Sequence, residues 1–508
     1  TNQVALAWSA PPGGAGSYNV YRGTATGVTR FAGADAGSTT STTFTNTGLS
    51  SGTPYFFVVT AVNDAGESAE SFEVTATPTA PGAPGTLDTT FNGVGFATHH
   101  DAGGAGTAEK AWGVAISDAG RIYAAGEAQG VLGNLDAIVW AFLPDGGLDP
   151  SFGGGAGFVS SRSAAGANGT DIAYGLTVDS TGRIVVVGAS YNTSNNYDIV
   201  IWRYDANGTL DNTFGSAGTF IYNSGLAGAA SHDYAYIPAI DPAGRIVVVG
   251  RSYGGAAASF DGVILRLTDG GVLDPTFGTG GAAFYKGAGD SWDQMLDLEF
   301  TSGGEMIVVG YSQPSAGRSD ATLWKVLPDG GLDSTFGSAG VFKHPGLAAS
   351  AFTIPRGLAI DGMGRIVMSG FSQVSPSPQV AMVWRVTAGG VLDTTFNDAG
   401  FAAWTGVGSG NADFFKLRID SSGRYVVSGY GQNGTTRDMA VVRYLPDGGF
   451  DPTFGSGGVL FHNSAAGGGA VDEGWGLALD SVGRIVVVGK SWAGGFNDYD
   501  MAIWRVNP

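Results

Sequence analysis

Three segments of one stretch decide the fold: Asp179-Ser-Thr-Gly-Arg-Ile-Val-Val-Val-Gly188, Asp198-Ile-Val-Ile-Trp-Arg-Tyr204 and Leu210-Asp-Asn-Thr-Phe214. Asp-x-x-Gly is tight-turn chemistry, because Asp caps the turn and Gly takes the positive φ. The runs that follow are β-branched and apolar on both faces, as strands covered on both sides must be. The stretch predicts four short strands: Ala173–Val178, Arg183–Val187, Asp198–Tyr204 and Thr219–Tyr222. A longer turn, from Asp205 to Phe214-Gly215, joins the last two.

Outward from this stretch the pattern recurs. Leu-Asp-x-x-Phe, or its Phe450 variant, occurs seven times, with aspartates at 88, 149, 211, 274, 333, 393 and 451. The turn-and-strand motif recurs in register, as in Gly423-Arg-Tyr-Val-Val-Ser-Gly429, and so does the third-strand motif, as in Asp500-Met-Ala-Ile-Trp-Arg-Val506. Four-stranded units of about 60 residues arranged radially make a β-propeller. The last unit stops after its third strand, whereas Phe96–His100 has no three strands before it. The expectation is therefore a seven-bladed β-propeller with four-stranded blades, closed by the N-terminal strand of the ring, over residues 87–508. These motifs resemble the delta-60 repeat family of bacterial exported proteins. That resemblance implies a surface or extracellular protein and brings no catalytic residues.

Composition agrees with an all-β chain. Of 508 residues 87 are Gly, yet 43% are apolar, which excludes disordered and collagen-like chains. Net charge is −19 and no apolar run is long enough to be a transmembrane helix, arguing against nucleic acid, an anionic surface or direct membrane insertion. Absence of Cys removes disulfides, thiolate metal sites and Cys nucleophiles.

Residues 1–78 read separately. Val4–Trp8, Ser17–Arg22, Phe44–Asn46, Tyr55–Val62 and Phe72–Ala76 alternate as strands. Trp8 and Gly52-Thr-Pro-Tyr55-Phe-Phe-Val-Val resemble a fibronectin type III β-sandwich, and the resemblance makes Tyr55 its corner tyrosine. Its first strand is missing, so the chain is expected to be a fragment of a longer protein. A Pro/Gly linker is expected over residues 79–86.

Several motifs yield to the repeat. Gly250-Arg-Ser-Tyr-Gly254 has the pattern of a nucleophile elbow, but other units place Gly-x-Ser at the same strand end. Val488-Gly-Lys-Ser491 imitates a phosphate loop with no helix after it. His99, His100, His232, His344 and His462 mostly fall on fourth strands of different units, so no shared zinc site is expected among them. Asp205, Asn207 and Asp211 offer oxygens at short spacing, a weak calcium pattern; turn capping explains them better.

One face of the disc is expected to carry the site. Eight residues before the Asp of each turn stand Glu109, Asp171, Asp233, Asp293, Thr353, Ala412 and Asp472. Third strands open on Asp136, Asp198, Asp261, Asp320, Gln379, Asp438 and Asp500. Five residues before the turn stand Trp112, Tyr174, Tyr236, Leu296, Arg356, Phe415 and Trp475, a mostly aromatic ring at the mouth of the channel. The acids read first as loop fasteners. As a binding rim, Trp112, Tyr174, Tyr236, Arg356, Phe415 and Trp475 with Asp171, Asp233, Asp293 and Asp472 would take a sugar or a cationic peptide. Units four to six break the pattern and are the place for a unique site. The reading is a non-enzymatic exported surface or matrix protein with no cofactor, binding a glycan, protein or cell-surface ligand. The alternatives are a polysaccharide lyase or hydrolase, and a self-associating filament subunit that accepts a neighbour's strand.

Overall fold

The computed structural model describes residues 4–12, 14–50, 52–77, 82–223, 231–254, 259–286, 292–315, 318–349, 351–407, 410–469, 471–495 and 498–508. Residues 79–81 of the expected linker lie outside them. The chain divides into two compact units, Thr1–Gly82 and Ala83–Pro508.

In the smaller unit Val4–Ala7 pairs with Thr43–Asn46. The second sheet runs Ala34–Thr39, Ser17–Gly23, Tyr55–Asn63, Gly66–Glu67, with Val74–Ala76 also on Tyr55–Asn63. Val4, Val20, Leu49 and Phe57 form its core. The Ser50 N–H donates to the Tyr55 hydroxyl (3.0 Å), the backbone contact that a corner tyrosine makes. Ala34–Thr39 was not anticipated: Ala-Asp-Ala-Gly-Ser-Thr lies at the sheet edge with no inward apolar period. Conversely Phe72, expected in a strand, is 96% exposed outside one.

The larger unit is all-β apart from one 3-10 turn, Gly153–Gly155, among the described residues. Its strands assemble into four-stranded antiparallel sheets, each ordered by sequence from the first strand outward. The stretch quoted above forms Gly166–Val178, Ile184–Asn192, Tyr197–Tyr204 and Thr219–Tyr222. Its first two strands are longer than expected because pairing continues past the apolar runs. Two neighbouring sheets, over residues 293–344 and 352–404, are joined by a single parallel bridge, Ser319 to Phe352. The last sheet takes its fourth strand from the start of this unit: Phe96–His99 pairs with Tyr499–Val506, His99 opposite Met501.

Sheets pack face to face in sequence order. Tyr123, Val139, Val186 and Trp202 share one core between the first two. Val486, Val488, Met501 and Ile503 of the last sheet share another with Ile122, Ala124, Ile138 and Trp140 of the first. Each sheet is thus covered on both faces, which is why its inner strands are apolar throughout.

Leu-Asp-x-Thr-Phe fastens these layers. The Arg443 Nε donates to Asp451 Oδ2 (2.9 Å) and its guanidinium lies 4.4 Å from the centre of the Phe454 ring. Asp451 Oδ1 accepts from the Thr453 N–H and hydroxyl. The same arrangement holds at Arg203–Asp211, Arg266–Asp274, Arg385–Asp393 and Arg505–Asp88. Where the third strand carries Ala141 instead of Arg, the turn arginine Arg121 pairs with Asp149 at 2.6 Å. The weak calcium pattern is absorbed by these turns. Asp205 Oδ1 accepts from the Asn207 and Thr209 N–H groups, Asn207 Oδ1 from Thr209, and Asp211 is held by Thr213 and Arg203.

Candidate functional site

First strands of six sheets surround one cavity of about 610 Å³, which includes Ile116, Val178, Ile240, Phe300, Ile419 and Leu479. Pro238 is tolerated in one of these strands because a first strand lies at the edge of its sheet. Inside the cavity Lys416 Nζ meets Asp297 Oδ1 at 2.8 Å, and Asp297 Oδ2 accepts from the Leu358 N–H at 3.0 Å, tying three sheets together.

Each first strand carries a bulge at the same place. Gly126 pairs with Ala111 and Ala125 with Gly113, which leaves Trp112 as the extra residue. Tyr174, Tyr236, Leu296, Arg356, Phe415 and Trp475 are the corresponding extra residues in the other sheets. The glycine in the middle of each second strand permits this: a Cβ on Gly126, Gly188, Gly250, Gly310, Gly370, Gly429 or Gly489 would collide with the first-strand carbonyl opposite. So the final Gly of Gly-Arg-Ile-Val-Val-Val-Gly sets the bulge, and the bulged residue stands directly before the cavity-lining segment of its strand.

Those side chains form a contiguous layer. Trp112 and Trp475 stack at 4.1 Å between ring centres, 10° from parallel. Phe415 continues from Trp475 at 6.0 Å, Tyr174 from Trp112 at 6.0 Å, and Tyr236 from Tyr174 at 5.2 Å. Arg356 lies over Phe415 at 4.8 Å. Leu296 instead joins a small apolar group with Tyr311, Ile354 and Phe371. Burial raises the hydroxyl pKa of Tyr174 and of Tyr236.

Two positions that the sequence reading passed over complete the mouth: the residue after each second-strand glycine, and the first-strand residue paired with it. These cross-strand pairs are Lys110–Glu127, Ile172–Ala189, Tyr234–Arg251, Gln294–Tyr311, Ile354–Phe371, Asp413–Tyr430 and Glu473–Lys490. Around them the repeat stops repeating. Lys110 Nζ meets Glu127 at 3.0 Å and the Trp112 indole donates to Glu127 at 3.3 Å. Glu473 is met by Arg437 at 3.1 Å and Lys490 at 3.6 Å, and accepts from the Trp475 indole at 3.1 Å. Arg251 lies between the Tyr234 and Phe260 rings at 4.5 and 4.3 Å, and Phe260 leads at 5.2 Å to Trp292, which is 42% exposed.

Asp413 is the most perturbed acid of the group. It is buried, Arg356 Nε meets its Oδ2 at 3.2 Å, and its Oδ1 has no hydrogen-bond partner. Desolvation drives its pKa up to about 7; Arg356 opposes the shift and Glu473 adds to it. Lys490 is pushed down, chiefly by burial.

The acids expected at the rim lie elsewhere. Asp171 accepts from the Ser163 and Ala164 N–H groups, and Asp472 from those of Ser464 and Ala465. Asp233 and Asp293 are fully buried, and the Ser312 hydroxyl donates to Asp293. At the third-strand start Val380, not Gln379, holds the position of Asp198, since it pairs with Ser372 as Asp198 pairs with Ser190.

Comparison with known proteins matches the repeats at residues 120–152, 180–214, 242–277, 302–336 and 421–454 to a β-propeller family described as a domain of unknown function, DUF5122. Residues 1–77 match the fibronectin type III domain. The chain carries a DUF5122 β-propeller repeat region behind a fibronectin type III domain. No curated protein matches it. Among solved structures, a protein of unknown function from Dyadobacter fermentans is similar at 13% identity, covering 81% of this chain and 98% of that one, TM-score 0.41. A gluconolactonase from Xanthomonas campestris is similar at 13% identity, covering 84% and 98%, TM-score 0.33. An ulvan lyase described as a new family of polysaccharide lyase is similar at 10% identity, covering 79% and 95%, TM-score 0.37.

Proposed function

We propose that the DUF5122 repeats, of the delta-60 kind, close a seven-bladed ring whose channel mouth binds an acidic saccharide. One observation carries this reading. In a chain of net charge −19, five cations (Lys110, Arg251, Arg356, Arg437 and Lys490) gather with only three carboxylates (Glu127, Asp413 and Glu473) around an aromatic layer. Aromatic faces stack on the C–H faces of sugar rings, and Arg binds carboxylate or sulfate with paired N–H donors. Arg437, Arg356 and Lys110 keep 48%, 30% and 26% of their side chains exposed, so a ligand can reach them. This replaces the cationic peptide of the sequence reading with an anionic ligand. Such polymers lie outside cells, and the proposal carries export with it.

A second reading rests on Asp413. A carboxyl poised at about 7, one oxygen unpartnered and Tyr430 opposite, has the properties of a proton donor or acceptor at neutral pH. The same mouth would then cleave what it binds, as a lyase or hydrolase. Incubation with uronic-acid oligosaccharides and neutral ones of equal length separates these readings. Binding of the acidic set without new products supports a binding module. Reducing ends or unsaturated products that vanish in D413N support an enzyme. Failure of every acidic saccharide to bind rejects both.

A further inference from the structure

The seam between the first and last strands of the larger unit differs chemically from the corresponding place in other sheets. In four sheets the Asp opening the third strand has donors or a cation beside it: Arg162 meets Asp136 at 2.7 Å, the Asn192 amide donates to Asp198 at 2.8 Å, and Arg318 grips Asp320 with two bonds of 3.0 Å. Asn433 and Thr436 both donate to Asp438 at 2.9 Å. Asp500 departs from this. Its near neighbours are an imidazole, His100 Nδ1 at 2.7 Å from Oδ1, and a second carboxylate, Asp498. One ligand atom from each of the three lies within 4.8 Å of the others.

Asp498 supplies an independent observation. Its Oδ1 is cut off from solvent and has no hydrogen-bond partner. A carboxylate oxygen in that state, beside another carboxylate, is costly unless a cation or proton joins it. His100 lies outside the strand and is nearly half exposed, which leaves the cluster open on one side.

We propose that His100, Asp498 and Asp500 form a divalent-cation site of the zinc type, which clips strand Phe96–His99 to strand Tyr499–Val506. One imidazole nitrogen with two carboxylate oxygens suits Zn²⁺, and next Mn²⁺, better than Ca²⁺, which takes six to eight oxygens. Tetrahedral ligands at about 2.1 Å from an ion stand about 3.4 Å apart, a spacing within the 4.8 Å span of the three groups, and His100 Nδ1 and Asp500 Oδ1, now 2.7 Å apart, would separate slightly to admit the ion. Water would fill the remaining position. The bound ion would join residues 400 apart in sequence, across the seam where the unit's two ends meet. An ion bound to the native state alone raises stability by mass action.

Thermal unfolding of the full chain, stripped with chelator and then titrated with Zn²⁺ or Mn²⁺, tests this. The expected result is an upward shift of about 3 °C once the ion is near 100 times its Kd, with calorimetric stoichiometry of one. H100A and D498N should each abolish the shift; D498N disturbs no observed side-chain hydrogen bond of Asp498 Oδ1, so it should fold. Absence of any shift at millimolar ion would overturn the proposal. So would a shift of the same size in D498N, which would place the ion elsewhere.

Discussion

Asp413 offers the sharpest test of the electrostatics at the channel mouth. Its side chain is fully buried, and its pKa rises from 3.8 to about 7. The folded state therefore binds a proton that the unfolded state has released, so between these values stability falls as pH rises. About 3 pH units at 1.36 kcal/mol each amounts to about 4 kcal/mol of lost stability once pH exceeds the folded value. An amide at this position cannot ionise. D413N should match the wild type near pH 2.5, below both values, where the acid is protonated in both states, and exceed it by up to about 4 kcal/mol near pH 8. For a unit of residues 83–508 that is roughly 4 °C in melting temperature. The assay is thermal unfolding of both proteins across that pH range, reading only their difference so that other titrating groups cancel. Parallel curves, with no divergence between the two pH values, would refute the buried, proton-binding carboxyl.

Three further outcomes follow from the repeat. R443A takes from buried Asp451 the nearer of its two guanidiniums, leaving Arg424 at 3.3 Å, and removes the cover on Phe454, which should cost about 2–3 kcal/mol in denaturant unfolding, with R443K recovering only part because a single ammonium cannot replace the fork. G429A drives a Cβ into the Asp413 carbonyl and should cost about 1–3 kcal/mol and alter the fluorescence of neighbouring Trp475, whereas G434A, with nothing within 4 Å, costs only positive-φ strain and leaves that signal alone. A chain that starts after Asp101 loses strand Phe96–His99 and bares the Met501–Trp504 edge; light scattering should show association and the melting temperature should drop.

Much of the fold was legible because the repeat is written in turn and strand chemistry. Asp-x-x-Gly followed by a two-sided apolar run marks a hairpin wherever it occurs, and Phe96–His99 could be assigned to the last sheet by counting strands. The aromatic ring was legible too, as a position at fixed distance from a turn. The cross-strand pairs were not. Reading Lys110 or Glu473 as channel-facing requires knowing that the next-but-one residue is bulged, and strict alternation hides a bulge. A signal was nevertheless present: Glu127, Ala189, Arg251, Tyr311, Phe371, Tyr430 and Lys490 all follow the second glycine of the turn-and-strand motif, and no two neighbouring repeats agree there. The sign of the site was hidden for a different reason. Net charge averages over the whole surface, while much of the acid in this chain is spent inside turns on backbone N–H groups, as at Asp171 and Asp472. The metal-ligating trio was missed because His100 meets Asp498 and Asp500 only when the two ends of the unit pair.

The most direct test of the central claim is calorimetric titration of the wild type and an R356A/R437A variant with one uronic-acid oligosaccharide. The account predicts salt-sensitive binding to the wild type and at least about tenfold weaker binding to the variant, since each charged hydrogen bond contributes roughly 1.5–3 kcal/mol. Binding of equal strength to both proteins, or a stronger response to the neutral oligosaccharide of the same length, would contradict it.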